Sequence, residues 1–245
     1  MLANLSKIGV VILAAGRGTR LGCVNEPKVM LKIGDKPIIS YIVETLKIIG
    51  FSKEQICLVV GFHAEKVKEY FGDSVSYAEQ LEQKGTAHAA YIGMLALPKI
   101  FEQVLVLNGD DSAFYSSASL ENFISEHIKN QSMVTLLSAE TENPTGKIVR
   151  HLDGKIEIIE KEYLTEEQKK IKEISTGTFC FDRAWFEKIF PSMPQLRKLG
   201  EYGLPTAFAT ARDQGQKIQV VKLQHPSEWF GINTPEELAE ATRRK

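Results

Sequence analysis

The sequence predicts an α/β fold: a Rossmann-like, mixed but mainly parallel sheet with helices on both faces and a small additional β lobe. Two observations support this prediction. Up to about residue 130, short continuous apolar runs alternate with segments in which apolar residues recur at helical spacing. Such runs are typical of strands covered on both faces, and their alternation with helices indicates parallel strands joined by crossovers. After about residue 131 the strand-like runs are shorter and more closely spaced, which predicts the β lobe.

The elements of the first part follow from apolar runs and their flanking residues. A strand is predicted over 8–13, and Pro37 opens a helix whose apolar positions recur up to Gly50. Thr86 is the predicted N-cap of a later helix, because a threonine hydroxyl can accept from the free N–H groups of a first turn. The remaining strands are predicted at 55–60, 74–78 and 104–107, and the remaining helices at 63–71, 86–97 and 120–129.

The second part is predicted to contain more strands. An Asp-Gly pair at 153–154 lies between two strand-like runs, which is typical of a hairpin turn. The predicted strands are 132–138, 147–150, 155–159, 176–181 and 218–223, and the predicted helices are 165–171, about 201–214 and 235–242. No repeat or linker divides the 245 residues, so a single domain over 1–245 is predicted.

Composition excludes several classes of protein. The formal net charge is -1, which argues against a general nucleic-acid binder. No run of eighteen apolar residues and no convincing signal-peptide cleavage site is present, so we expect no membrane association. The three cysteines, Cys23, Cys57 and Cys180, are far apart, which predicts neither a disulfide framework nor a zinc site. Together these features indicate a cytoplasmic protein.

A glycine-rich loop follows the first predicted strand. Gly16, Gly18 and Gly22 are spaced G-x-G-x-x-x-G, which differs from the G-x-G-x-x-G of dinucleotide-binding folds and from the P-loop pattern. The second strand also lacks the acidic residue that would hold a ribose at its end, since it continues into Gly61. The dinucleotide interpretation is therefore disfavoured.

The same loop carries positive charge. Arg17, Arg20 and Lys28 supply phosphate donors, and backbone N–H groups freed by glycine can line an anion concavity. Three cations favour a triphosphate over a single phosphate. The alternative is a mobile surface loop with solvated charges. Ala14 and Ala15 favour binding, because small side chains let a flat base lie against the backbone.

Residues 13–21, LAAGRGTRL, and 27–30, PKVM, resemble the double signature of sugar-phosphate nucleotidyltransferases. The similarity is greatest to the uridylyltransferase domain of bacterial bifunctional N-acetylglucosamine-1-phosphate uridylyltransferases, and it extends over nearly the whole chain. Further matching segments lie at 80–89, 108–110, 143–146, 159–160, 175–177, 200–202 and 231–233. The resemblance implies a nucleotide-binding half over about 1–130 and a sugar-binding half over about 131–245.

The resemblance also implies a reaction: Mg²⁺-dependent transfer of a nucleotidyl group from a nucleoside triphosphate to a sugar 1-phosphate, with release of pyrophosphate. Arg20, Lys28 and Asp110 are the implied catalytic residues, with Arg20 on the pyrophosphate and Lys28 on the reacting phosphates. Asp110 and Asn233 are the implied ligands of Mg²⁺. Asp110 also lies where a strand ends, the usual ligand side of such sheets, although a strand-end turn is the alternative role.

Two further sets of residues are implied to contact the substrates. Gln80 would read the pyrimidine edge, since one side-chain amide offers a donor and an acceptor together. Glu160 would accept hydrogen bonds from sugar hydroxyls; an exposed polar residue is the alternative in both cases. The nucleotide set is Leu13, Ala14, Ala15, Gly16, Gly18, Thr19, Gln80, Gly85 and Thr86. The sugar set is Gly109, Gly146, Glu160, Ser175 and Thr176.

The sequence departs from the family on the sugar side. Asp111 and Ser112 replace an apolar residue and a proline, and Ser175 replaces an asparagine. The segment 201–206 lacks an aromatic residue and an acid, and the segment after 143–144 is about two residues short. UTP and N-acetylglucosamine 1-phosphate are therefore only the first candidates. Other hexose 1-phosphates or phosphorylated alcohols, with dTTP or CTP as donor, and a non-catalytic nucleotide-sugar-binding regulator are the alternatives. No second domain is expected after the last helix, and the oligomeric state stays open.

Overall fold

A computed structural model describes residues 5–142, 145–196 and 200–245. Its strands are β1 Ile8–Ala14, β2 Lys32–Ile33, β3 Lys36–Pro37, β4 Ile56–Val60, β5 Ser76–Glu79, β6 Gln103–Asn108, β7 Val134–Glu140, β8 Lys147–Arg150, β9 Ile156–Ile159, β10 Glu173–Asp182 and β11 Ile218–Lys222. Its α-helices are α1 Ile38–Ile49, α2 Ala64–Phe71, α3 Thr86–Ala96, α4 Ser117–Asn130, α5 Glu166–Lys169, α6 Arg183–Ile189, α7 Leu204–Asp213 and α8 Pro235–Arg244.

The large sheet has the order β11-β7-β10-β6-β1-β4-β5. Strand β1 is parallel to both β4 and β6, and β10 is antiparallel to both β6 and β7. Along this path β10 is therefore the one strand of the described chain that runs against the others. The hairpin β8–β9 branches from β10 and forms the small lobe. The predicted mixed, mainly parallel α/β fold is confirmed.

Helices cover both faces of the sheet, because side chains along each strand alternate between two cores. On β1, Val10 and Ile12 enter the core formed with α1, α2 and α4. Val11 enters the opposite core, formed with α3, α6 and α7. A third, smaller cluster joins α8 to the short β2–β3 hairpin. The continuous apolar sequence of β1 thus agrees with its burial on both faces of the sheet.

The structure differs from the sequence prediction at two helix starts. Helix α6 was not predicted, because its seven residues follow the apolar run of β10 without a break. It begins where the Asp182 carboxylate accepts from Trp185 N at 2.9 Å, a signal that the sequence did contain. Thr86 was predicted to cap α3, and this is wrong: the N-cap is Gly85, and the Thr86 hydroxyl accepts from Leu204 N at 3.1 Å.

Within the described ranges, no helix is both long enough and apolar enough to cross a lipid bilayer. The three cysteines are free thiols, and Cys57 and Cys180 are buried in the sheet.

One buried histidine joins α4 to the sheet. His127 Nε2 donates to Gln103 Oε1 at 2.8 Å, and Thr135 Oγ1 donates to His127 Nδ1 at 2.7 Å, so both ring nitrogens are satisfied in the neutral form. Burial lowers the pKa of His127 to about 4. The unfolded chain, in which this pKa is about 6.5, therefore binds a proton between these two values that the folded protein does not.

We expect this histidine to make stability fall on acidification. Between about pH 7.5 and pH 5 its contribution should reduce the free energy of unfolding by about 2 kcal/mol, because protonation favours the unfolded chain. Urea unfolding of the wild-type protein at both pH values measures this decrease in the free energy of unfolding. In His127→Gln the loss should be smaller by that amount, since the amide does not titrate. An identical pH dependence in both proteins would contradict the assignment.

Candidate active site

A cleft of about 900 Å³ opens where β1 and β6 end, on the carboxyl side of the sheet. Such a position is the usual ligand site of open α/β sheets. The loops after both strands form one part of the lining, and the segments that flank the hairpin β8–β9 form another. The lining includes most of the predicted site residues: Leu13, Ala14, Ala15, Gly16, Arg20, Lys28, Gln80, Gly85, Thr86, Asp110, Gly146, Glu160 and Asn233.

Four predicted residues meet at one end of the cleft. Lys28 Nζ donates to the Asp110 carboxylate and, at 2.9 Å, to Asn233 Oδ1. Arg20 Nη2 donates to the same Asn233 oxygen at 2.8 Å. The side chains of Lys28 and Asp110 are 10% and 29% exposed, so the pair is largely shielded from water while still opening onto the cleft. Two cations, a carboxylate and an amide oxygen are therefore concentrated where phosphates could bind.

Local structure fixes the position of Lys28 at this end of the cleft. Lys28 begins a 3₁₀ turn after Pro27 and is buried with its two successors. The glycine loop lies directly over it: a Cβ on Gly18, whose φ is +69°, would lie 2.7 Å from Lys28 Cβ. Only a glycine fits that position without displacing the lysine. Gly18 and Thr19 themselves do not line the cleft, so their contribution is to shape the loop.

Asn233 is held by the start of the last helix. The Glu237 carboxylate accepts from Asn233 N at 2.6 Å and from Thr234 N at 3.0 Å, while Glu237 N donates to the Thr234 hydroxyl. This is a capping box, which fixes the first turn of α8. Asp110 follows the β6 end, where Gly109 N donates to Leu13 O at 2.9 Å. Both oxygen ligands predicted for a metal are thus attached to fixed backbone.

Gln80 and its neighbours, the residues predicted to read the base, also line the cleft. Gln80 is buried, and its Nε2 donates to Gly85 O and to His88 Nδ1, each at 3.1 Å. The His88 ring is therefore neutral in this contact, and burial lowers its pKa. Gln83 Nε2 donates to Ala15 O at 2.7 Å. These bonds fix the orientation of the Gln80 amide beside the small residues of the glycine loop.

The sugar-side predictions divide into two groups. Gly146 and Glu160 line the cleft together, since a Cβ on Gly146 would lie 3.2 Å from Glu160 Oε2. Burial, and then the neighbouring Glu162, raise the pKa of the Glu160 carboxyl. Its surroundings thus do not fully stabilise the negative charge of the carboxylate. This suits a group that accepts hydrogen bonds from ligand hydroxyls. Asn143 and Pro144, part of the quoted signature, lie outside the described residues.

Three sugar-side residues are not among those lining the cleft: Gly109, Ser175 and Thr176. The Thr176 hydroxyl donates to Leu137 O at 2.7 Å, inside the sheet. Ser175 N donates to Gly146 O at 3.0 Å, so Ser175 supports a residue of the lining. The structure therefore gives Ser175 and Thr176 supporting positions behind the cleft wall.

Asp111, the main departure from the family pattern, is buried at the floor of the cleft. Asn108 Nδ2 donates to its Oδ2 at 3.0 Å, while its Oδ1 lacks a hydrogen-bond partner among the described residues. Burial, and then the negative charge of Asp110, raise the pKa of this carboxyl well above its usual range. Trp229 lines the cleft beside it, and its Nε1 donates to Thr176 O at 3.2 Å.

Sequence reasoning left several lining residues out of the predicted site. Gln83 was visible in the matched signature, and Thr234 with Glu237 form a T-x-x-E capping pattern next to Asn233. Glu201 lies in the matching segment 200–202, and the resemblance had implied that it lies near the sugar pocket. The acidic side chains of Glu142 and Glu162 carried no local signal, because only the fold brings them to the cleft.

The site offers few protein ligands for a cation. Over the described residues there is no cluster of three or more His, Cys, Asp or Glu side chains arranged to hold a metal. Asp110 Oδ2 and Asn233 Oδ1 nevertheless converge on one point, because both contact Lys28 Nζ. A carboxylate and an amide oxygen suit Mg²⁺, which usually takes its other ligands from water and substrate phosphates.

Comparison with known proteins agrees with this geometry. The family model described as "Nucleotidyl transferase" matches residues 9–244, almost the whole chain. This chain belongs to the nucleotidyl transferase family. The match includes both the glycine loop and the capping box of α8, the two segments that supply the cations and Asn233.

Relatives within the nucleotidyl transferase family include proteins named bifunctional protein GlmU. One from Thermoanaerobacter pseudethanolicus is 39% identical over 237 residues, covering 95% of this chain and 50% of the relative. One from Halalkalibacterium halodurans is 35% identical over 237 residues, covering 94% and 50%. The chain thus spans about half the length of these relatives.

A solved structure resembles the fold as a whole. It is titled a putative glucose-1-phosphate thymidylyltransferase from Bacillus anthracis in complex with a sucrose. The TM-score is 0.76 at 21% sequence identity, covering 97% of this chain and 94% of that one. At this identity the likeness supports the fold of the nucleotidyl transferase family, whereas substrates must be argued from the site.

We predict that Gly85→Ala disrupts the base-side wall. At a φ of +101°, an alanine Cβ would lie 2.6 Å from Tyr202 O and 2.8 Å from Tyr202 N. Those atoms bond to Ala87 N and Lys84 O, each at 2.8 Å, so neither segment can yield without losing hydrogen bonds. We expect a loss of about 2–4 kcal/mol in the free energy of unfolding, measured with urea.

Gly215→Ala is the matched control. Its φ is +67°, and a Cβ there would meet nothing within 4 Å, so it carries the cost of a positive φ without the clash. The φ of +101° and ψ of 176° at Gly85 are accessible almost only to glycine, which adds to the loss expected there. Its loss should stay near about 1 kcal/mol, the usual cost of a left-handed conformation with a Cβ. Equal losses in the two variants would show that the contact with Tyr202 is not tight.

Proposed function

We propose that this chain joins a sugar 1-phosphate to a nucleoside triphosphate, giving a nucleotide sugar and pyrophosphate. The observation that carries the proposal is the meeting of Arg20, Lys28, Asp110 and Asn233 at one end of the cleft. Membership of the nucleotidyl transferase family supports it. UTP and N-acetylglucosamine 1-phosphate are the first pair to test, because the most similar motifs belong to that kind of enzyme.

The cleft has chemically distinct walls that suit two different ligands. Arg20 and Lys28 provide donors for the triphosphate, and Gln80 beside Gly85 provides a fixed amide for the base. The other end presents carboxylates, with Glu160 nearest to Gly146. Carboxylates accept from hydroxyl groups, so this end suits a sugar. This distribution supports binding of the acceptor beside the donor.

The proposed reaction needs little acid–base chemistry from the protein. An oxygen of the sugar phosphate forms a bond to the α-phosphorus while the bond to pyrophosphate breaks in line. The attacking oxygen is already anionic, so no general base is required, and catalysis consists of positioning and charge neutralisation. Lys28 is placed to bind the reacting phosphates, and Arg20, on the exposed side of the loop, to bind the departing pyrophosphate.

Asp110 and Asn233 are the residues that would hold Mg²⁺ in this proposal. When bound, the ion supplies further neutralisation of the phosphate charge. The protein's part is to present one carboxylate and one amide oxygen on fixed backbone, as the Glu237 capping box does for Asn233. We propose the cytoplasm as the location, where the three free thiols stay reduced.

Removing either cation should lower turnover strongly. In Arg20→Ala or Lys28→Ala we expect kcat to fall on the order of 10² to 10³-fold, as for other preorganised charge stabilisers. Pyrophosphate release measures it, with circular dichroism to check the fold. Lys32→Ala, which removes an exposed lysine nearby in sequence, is the control and should keep its turnover. Near-normal rates for both cation variants would contradict the assigned roles.

A grid of substrates tests the function itself. Pyrophosphate release is measured with Mg²⁺ for UTP, dTTP and CTP against N-acetylglucosamine 1-phosphate, glucose 1-phosphate and a phosphorylated alcohol. We expect the highest kcat/KM for UTP with N-acetylglucosamine 1-phosphate, because the nucleotide-side signature is complete. If kcat/KM were highest for another pair, the proposed reaction would stand and that pair would be assigned as the substrates. If substrates bound but no pair released pyrophosphate, the chain would instead be a non-catalytic regulatory binding protein.

A further inference from the structure

Two cations already bind the Asn233 oxygen, and one of them also binds one oxygen of Asp110, at the residues that the proposed function assigns to a metal. Asn233 Oδ1 accepts from Lys28 Nζ at 2.9 Å and from Arg20 Nη2 at 2.8 Å. A carbonyl oxygen has two lone pairs, so both are used. Asp110 Oδ2 is bound by the same lysine. No lone pair of the Asn233 oxygen is left for an incoming cation.

The position of the lysine makes this occupancy strong. Its side chain is 10% exposed, and its contacts with Asp110 and Asn233 replace the water that it has lost. A divalent ion entering alone would have to displace this ammonium group and would then lie close to two positive side chains. Like charges at short range in a poorly solvated site repel strongly. The empty protein should therefore bind free divalent ions poorly.

A triphosphate changes this balance, because it offers the two cations better partners. Phosphate oxygens are strong acceptors for both guanidinium and ammonium groups. Arg20 is exposed and lines the cleft, so rotation of its side chain can move the guanidinium from Asn233 onto a bound phosphate. Asn233 stays in place when the cations leave, since its N–H is held by Glu237 at 2.6 Å. The metal ligands are fixed while the cations that cover them can move.

We propose that Lys28 and Arg20 close the metal site of the empty protein, and that a triphosphate opens it by drawing both side chains onto its oxygens. The metal then enters together with the nucleotide and not before it. This inference rests on the proposed function for the identity of the ligands. Lys28 thus has two positions, one on the metal ligands in the empty protein and one on the phosphates in the complex.

Binding of Mn²⁺ to the whole chain without nucleotide tests the inference, with the decrease of the free Mn²⁺ signal in electron paramagnetic resonance as the readout. The wild-type protein should bind weakly. Lys28→Met keeps the apolar stem and removes the charge, and it should bind at least about tenfold more tightly, because a removed like charge changes affinity by that order. Arg20→Gln should give a smaller gain, since it frees one lone pair of Asn233. Lys32→Met, at an exposed position, should bind as the wild type does.

Adding Asp110→Asn to Lys28→Met should abolish the gain, which would locate the binding at this site. Tight Mn²⁺ binding by the wild-type protein would overturn the inference. So would a gain in folded Lys28→Met that is no larger than in Lys32→Met. If Lys28→Met fails to fold, Arg20→Gln decides, and no gain there overturns the inference. A separate titration with UTP and Mg²⁺ tests nucleotide binding. Absence of nucleotide binding would contradict the proposed function, whereas tight Mn²⁺ binding by a wild-type protein that binds nucleotide would contradict only the closing of the metal site by Lys28 and Arg20.

Discussion

One ammonium group connects three distant parts of the chain. Lys28 Nζ reaches Asp110, 82 residues away, and Asn233, 205 residues away, and Arg20 joins the same amide oxygen. None of these contacts is local, so each depends on the sheet that brings β1 and β6 side by side and on the helix that carries Asn233. The candidate site exists only when the first and last segments of the domain have both docked.

Charged side chains are distributed unevenly along the candidate site. The end that holds Arg20 and Lys28 also includes Asp110, so two positive charges lie beside one negative charge there. The other end carries Glu160 and Glu162, and burial raises the pKa of the Glu160 carboxyl. In the proposed reaction, the triphosphate would therefore be attracted mainly to the end that carries Arg20 and Lys28.

Much of this could be predicted from the sequence. The alternation of apolar runs predicted the parallel strands, and the glycine loop with the segment at 80–89 predicted which residues face the cleft. The errors share a physical cause. The Thr86 hydroxyl is taken by Leu204 N, 118 residues away, and no local pattern contains that partner. The direction of Thr176 depends on an irregularity of β10 between Ser175 and Phe179, which changes the side to which residues point.

The reversed strand β10 has a consequence for how this molecule can be made. It comes late in the chain, yet it lies between β6 and β7 in the middle of the sheet. During synthesis, β6 therefore waits with one hydrogen-bonding edge uncovered until residue 182 has left the ribosome, and its apolar residues Val104 to Leu107 lie along that edge. Unpaired edges of this kind invite aggregation. A fragment cut near residue 130 would keep that edge open permanently, so we do not expect residues 1–130 and 131–245 to fold as separate units.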